Sequence, residues 1–345
     1  MAFPTLLDWA RRQAPDGHID EIAELLSQCN EIYKELPWRE GSLPTGHQGT
    51  VRIGLPLATW RMLNQGLTPT KDLTAQIQAG AGMLEDMSQV DKAIAELNGD
   101  VAGFRVESDN AHLESMSQIM AQQFFYGNAA TAPAQFTGLS PLYNTVTLAN
   151  AQNAKNVFNA GGSASNNASL WLAGWGDRTG FGFFPKGSQA GLQFEDRGDI
   201  NFLLDSTGKQ FRGYTSWFSW KAGLFIQDWR YFVRIANIDV TTAGLAGANP
   251  PDLFAIMSKA VIRLPTFTKR ASGITETDAP DEPAPGIIPA WYCNRTVREY
   301  LDIQAIRDKN VLLGFRDYAG QPVIEFREVP IRVCDVLTIT EATVV

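Results

Sequence analysis

The sequence predicts an α+β fold on three observations. Segments with helical spacing of apolar residues and segments that alternate every second residue occupy different parts of the chain. The 30 glycines and 18 prolines among 345 residues call for many turns between long β excursions. One block, 211–240, concentrates aromatic residues as a strand-rich wall between two surfaces would.

From the N-terminus, Thr5 is placed to cap a short helix running to Arg12. Ile19, Ile22, Leu25, Leu26, Cys29, Ile32, Tyr33 and Leu36 then follow helical spacing until Pro37, with Glu21, Glu24, Gln28, Glu31 and Glu35 on the opposite face. This amphipathic helix could dock on a neighbour. From Gly41 to Glu85 the chain reads as extended strands with turn punctuation. Residues 50–53 and 74–78 alternate, and Asn64-Gln-Gly-Leu-Thr-Pro69 supplies a turn. A two-stranded arm has too little core to stand alone, so it needs a partner surface.

Val90, Ala93, Ile94 and Leu97 predict a helix ended by Asn98-Gly99. A longer helix is predicted over 109–126, with Leu113, Met116, Ile119, Met120 and Phe124 on one stripe and Gly127 as its stop. Residues 150–169 read as a polar connector. Strands are expected at 169–175, 182–184, 193–194 and 201–203, followed by the aromatic block. With period two, Trp229, Tyr231, Val233 and Ile235 fall on one strand face, and Arg230, Phe232, Arg234 and Ala236 on the other. A helix over 253–263, an acidic proline-rich loop over 275–289, a helix over 296–307 and strands around 311–315, 323–326 and 331–339 complete the reading.

Several function classes are disfavoured. A net charge of −8 argues against gripping nucleic acid through its phosphates. No run approaches the roughly 20 apolar residues of a membrane-spanning helix. The N-terminus lacks the basic and apolar regions of a signal peptide, so Asn167-Ala-Ser and Asn294-Arg-Thr read as chance sequons. Cys29, Cys293 and Cys334 show no metal or redox spacing, and reduced, partly buried thiols are expected.

The glycine-rich run 174–188 superficially suggests a phosphate loop. A Walker sequence, however, needs Gly-Lys-Ser/Thr opening a helix; here Pro185 precedes Lys186 and Gly187 follows it. His18, His47 and His112 lie far apart in sequence, outside any zinc or catalytic-triad spacing. No EF-hand loop is present, and Glu195-Asp196 reads as a solvated turn. No catalytic, cofactor or metal residue is predicted. Arg230 and Arg234 are expected to pair with carboxylates, within the chain or on another subunit.

Three blocks carry a resemblance. They are Gly180-Phe-Gly-Phe-Phe-Pro-Lys-Gly-Ser-Gln-Ala-Gly-Leu192, Gly223-Leu-Phe-Ile-Gln-Asp-Trp-Arg-Tyr-Phe-Val-Arg-Ile-Ala-Asn-Ile-Asp239 and Phe326-Arg-Glu-Val-Pro-Ile-Arg-Val-Cys-Asp335. With the order of elements, they resemble the HK97-type major capsid proteins of tailed bacteriophages, in a subfamily found mainly in short-tailed phages. The resemblance implies an N-terminal arm over 1–40 and an E-loop over 41–85. It further implies a peripheral domain from 86–139 with 291–345, whose spine helix is about 109–126, and an axial domain over 140–290.

The implied function is a shell subunit without catalytic activity, assembling as hexamers and pentamers into an icosahedral head around double-stranded DNA, without sequence-specific binding. A separate scaffolding protein and a portal protein are implied as partners, and a decoration or cement protein is admissible. The protein would be made in the bacterial cytoplasm and end in the virion, with no membrane association. Leu43, Arg52, Trp60, Arg61, Lys71, Arg230 and Arg234 are the candidate intersubunit contacts. Lys71 is the sole lysine of the E-loop stretch, but no crosslinking motif accompanies it. An encapsulin-like cage shares the fold and is the related alternative. A carbohydrate-binding or hydrolase β domain, suggested by nine tryptophans, is the alternative from another class.

Overall fold

The computed structural model describes residues 28–97, 99–163, 165–204, 208–241, 244–245, 247, 250–265, 287–308, 313–318 and 321–345. The expected helix over 5–12, most of that over 19–36 and loop residues 275–286 lie outside them. In chain order the elements are α1 (Ile32–Glu35), β1 (Trp38–Glu40), β2 (Gly46–Gly54), β3 (Leu73–Gly80), β4 (Gly82–Asp91), α2 (Lys92–Ala95), α3 (Val101–Tyr126) and α4 (Leu139–Leu142). There follow β5 (Val157–Asn159), β6 (Asn167–Gly176), β7 (Gly180–Phe184), β8 (Leu192–Leu204), β9 (Gln210–Ile226) and β10 (Phe232–Asp239). The last are α5 (Leu253–Arg263), β11 (Ile287–Cys293), α6 (Arg295–Asp308), β12 (Leu313–Tyr318), β13 (Gln321–Phe326) and β14 (Val329–Val333).

Strand β6 organises the centre. It lies between β10 and β11, antiparallel to both, and all ten of its residues are buried. Because successive side chains point to opposite faces, one strand feeds two cores. Trp171, Ala173 and Trp175 join a core with α1, the C-terminal half of α3 and the chain's C-terminal tail. Ala168, Leu170 and Leu172 join a second core with α5 and α6. Long β9 connects this centre to a three-stranded extension: residues 223–226 pair with β7, and residues upstream lie between β4 and β8.

Helix α3 starts eight residues earlier than the apolar stripe suggests. Asp100 caps it by accepting the Gly103 N–H at 2.8 Å, and Phe104 anchors the added turns against Val90. Val90 itself belongs to β4, and only Lys92–Ala95 of the expected preceding helix is helical. Met116, Met120 and Phe124 are buried as the stripe predicts, whereas Ile119 is exposed. The helix stops at Gly127, where a Cβ would meet Gln123 and the Phe136 carbonyl, so close packing selects glycine there.

Other differences have local causes. Residues 192–204 form one strand rather than two short ones, because β9 supplies a continuous partner with two register shifts. The polar connector contains a 3-10 turn (Gln152–Asn156) and β5, held by parallel pairing with β10. Residues 287–289, expected in a loop, open β11. Residues 334–339 do not continue β14.

The candidate subunit interface

Strands β2 and β3 form an antiparallel hairpin that, among the described residues, pairs with no other strand. Its root is fastened to the body. Leu43 and Gly46 bridge to each other, and the Leu43 carbonyl accepts the Lys186 N–H at 3.2 Å. Ala81 donates to the Thr45 carbonyl, and the Gln227 side chain donates to that of Thr50. Gly49 lies against the Phe225 ring so closely that a Cβ would fall 2.5 Å from it. His47 sits among Phe181, Phe183 and Phe225, and this partial burial, with Arg39 nearby, lowers its pKa.

Beyond the root, packing ends. Gly46 is the single buried residue of β2, and β3 has none. Residues 55–72 have no regular structure and present Leu55, Leu57, Trp60, Met62, Leu63 and Leu67 to solvent; Leu63 is 91% exposed and Trp60 fully so. Local bonds shape the tip: Gln65 N–H to the Met62 carbonyl at 3.2 Å, and the Thr70 hydroxyl to the Leu57 carbonyl at 3.2 Å. A monomer rarely exposes so many large apolar side chains together.

The candidate contacts separate into three groups. Trp60, Arg61 and Lys71 are exposed on the tip. Arg52 is also exposed but is engaged across the hairpin, its Nε donating to Asp72 at 2.9 Å, and Leu43 is half-buried at the root. Arg230 and Arg234 do not share a strand face. Residues 229–231 form a 3-10 turn, started when the Asp228 carboxylate accepts the Arg230 N–H, and the exposed Arg230 guanidinium folds back on Asp228 at 2.7 Å.

Arg234 lies inside the chain and pairs there with Glu341, the intrachain one of its two expected pairings. It is 3% exposed, and its guanidinium donates to Ser169 Oγ (3.0 Å), the Tyr143 carbonyl (2.9 Å) and Glu341 Oε2 (2.8 Å) while lying over Trp171. Glu341 also accepts from the Ser169 and Tyr126 hydroxyls, and its burial with Tyr126 drives the tyrosine pKa up. Asn237, at φ +59°, exchanges two hydrogen bonds with Val344. The C-terminal residues are thus sewn into the core, a role for Glu341 and Asn237 that no local pattern announces.

The N-terminal side is tied in similarly. Glu35, expected on an exposed acidic face, is buried; Arg332 Nε and the Tyr292 hydroxyl donate to it at 2.6 and 3.2 Å. Desolvation raises its pKa, opposed by Arg332. Ile32 and Leu36 are buried in the chain's own core, so this end of the expected arm packs internally. His112 meets Asp86 at 2.6 Å between α3 and β4. Among the described residues no group of three His, Cys, Asp or Glu could hold a metal ion, and no helix is long and apolar enough to cross a membrane.

A spine helix laid along a β extension, a two-core mixed centre and a projecting hairpin define an HK97-type capsid subunit. The chain belongs to the major capsid protein GP7 family, whose model matches residues 14–345. The bacteriophage Epsilon15 structure is 30% identical, covering 100% of this chain and 98% of its own, with a TM-score of 0.74. The bacteriophage JBD30 capsid is 11% identical over 91% of this chain and 93% of its own, with a TM-score of 0.46. The SrpI encapsulin of Synechococcus elongatus PCC 7942 is a weaker match, 10% identical over 70% and 98%, with a TM-score of 0.41. No curated protein sequence matches the chain. It is a major capsid protein of a tailed bacteriophage, and its place is the virion.

Proposed function

We propose that the chain assembles with copies of itself, as hexamers and pentamers, into a closed icosahedral head around double-stranded DNA, and that it performs no catalysis. The observation that carries this reading is the hairpin: a root packed into the body and a tip of six large apolar side chains packed on nothing. Obligate subunit interfaces bury about 2,000 Å² or more in total, and such contacts are the ready source of cover for the tip. Several contacts per subunit make closure cooperative even where each is weak.

On this reading residues 41–85 act as the E-loop, with Trp60, Arg61 and Lys71 facing a neighbour and Leu43 and Arg52 holding the hairpin in shape. The spine helix becomes 101–126. The peripheral segments (86–139 and 291–345) meet the axial segment (140–290) in the first core, and 291–345 meets it again in the second, so they would move as one body. The N-terminal arm would lie upstream of Asn30. A separate scaffolding protein, a portal protein and a cement protein fit this reading as partners. The net charge of −8 suits a wall that confines DNA without gripping it.

The test is a variant in which residues 55–72 are replaced by a two-residue Asn-Gly turn. Purified with its scaffolding partner, it should remain folded and fail to close shells by electron microscopy. Normal particles from this variant would refute the role given to the hairpin.

A further inference from the structure

We propose that His47 is a proton-operated catch at the root of the hairpin: neutral, it locks the hairpin to the body, and protonated, it releases it. The carrying observation is the direction of one hydrogen bond. The Ser42 backbone N–H donates to His47 Nδ1 at 3.2 Å, so Nδ1 must carry a lone pair. An imidazolium has two donors and no acceptor. Protonation at Nδ1 therefore sets two donors against each other and breaks this bond.

Three features make the loss consequential. Ser42 is part of the same strap: its Oγ accepts the Gln48 N–H at 2.8 Å and donates to the Gln48 carbonyl, so both ends of the strap flank His47. The imidazole is packed 4.6 Å from Phe225, 5.2 Å from Phe181 and 5.9 Å from Phe183, centroid to centroid, where apolar rings shield part of it from water. The root is otherwise tied to the body by a few hydrogen bonds, among them the Gly41 N–H to the Phe184 carbonyl, the Lys186 N–H to the Leu43 carbonyl and Gln227 to Thr50. A change at His47 thus acts on the narrow joint between a free tip and a rigid body.

Of the surrounding charges, Arg39 favours the neutral ring. On β1, Arg39 places its guanidinium over the Phe181 ring at 5.2 Å and reaches Asp177 at 3.6 Å, while Glu40 accepts the Gly187 N–H. After β7, Lys186 donates its N–H to the Leu43 carbonyl. Residues 73–80 of β3 and 223–226 of β9 bear no ionisable side chain, Arg52 of β2 is paired with Asp72, and Asp228 is paired with Arg230. Desolvation and Arg39 both depress the His47 pKa. With the folded value below the unfolded one, the lock is complete at neutral pH and is lost as pH falls through the folded value. Acidification would then free the hairpin to change its angle while the two cores stay intact.

The experiment is hydrogen exchange on the full-length subunit from about pH 7.5 to about pH 5, corrected for intrinsic rates, the range in which histidine titrates. Wild type should lose protection severalfold at Ser42 and Gln48–Val51, with β6 unchanged. His47→Asn keeps an acceptor near the Nδ1 position without titrating, and should show no such loss. The same loss in His47→Asn, or none in wild type, overturns the proposal. If the variant does not fold, ¹⁵N spectra of the wild-type imidazole decide: Nδ1 should be the unprotonated nitrogen at neutral pH and the ring should titrate below free histidine. A protonated Nδ1, or ordinary titration, refutes it.

Discussion

Strands β6 and β2 are nearly equal in length, yet they stand at opposite extremes. Every residue of β6 is buried, its backbone is paired on both edges, and its two faces feed two different cores. Strand β2 buries Gly46 alone and pairs only with β3, and the chain beyond it sets Trp60 and Leu63 in water. The physics of strands is the same in both; the supply of partners differs. In β6 the chain provides its own, and in the hairpin, on the proposed reading, it leaves them to another subunit. On that reading stability and assembly reside in separable sets of residues.

The largest expected effect lies on the β6 side. Glu341→Ala strands the Arg234 guanidinium in the core, and breaking a buried pair in this way costs about 3–5 kcal/mol, measured by chemical denaturation. The double variant Arg234→Met/Glu341→Leu should recover much of that loss, because an apolar pair avoids the desolvation cost. Leu172→Ala, which hollows the core shared with α5 and α6, should cost about 2–5 kcal/mol.

Substitutions at the tip should leave subunit stability within about 0.5 kcal/mol while abolishing or delaying shell formation, as read by light scattering with scaffold present; Trp60→Ala and Leu63→Ala are the cases to compare. A tip variant that unfolds the subunit would break the comparison at once.

The smallest effect belongs to the surface of the β extension. Arg105 donates to Asp196 at 2.5 Å and holds its carboxyl pKa below the usual value. A depressed folded pKa contributes stability that is present above the unfolded value and lost as pH falls through the folded one. Asp196→Asn should therefore destabilise at neutral pH, by no more than about 1 kcal/mol because solvent screens this half-exposed pair, and the difference should fade in acid.

What could be read from the sequence was what periodicity and punctuation encode. Helix α5 falls on the expected 253–263 because its apolar stripe is complete and Asp252 caps it. The hairpin showed itself by alternation around a turn and by a lack of any core. The start of α3 stayed hidden because Gly103 and β-branched Val101 and Val106 dilute its helical pattern, leaving Phe104 as a lone anchor. The break at 229–231 did have a signal, Asp228 placed to accept the Arg230 N–H, but alternation across Trp229 to Ala236 masked it. Arg234 and Glu35 looked like surface charges because their partners, Glu341 and Arg332, lie more than a hundred residues away. No window of sequence contains both halves of such a pair.

The central claim is that the hairpin tip is exposed in the free subunit and covered in the shell. Hydroxyl-radical footprinting of Trp60 and Met62, in free subunits and in assembled particles, tests it most directly. Strong modification in the subunit and protection in the particle, with buried Trp171 silent in both, is the predicted result. Equal modification of Trp60 in both states would contradict it.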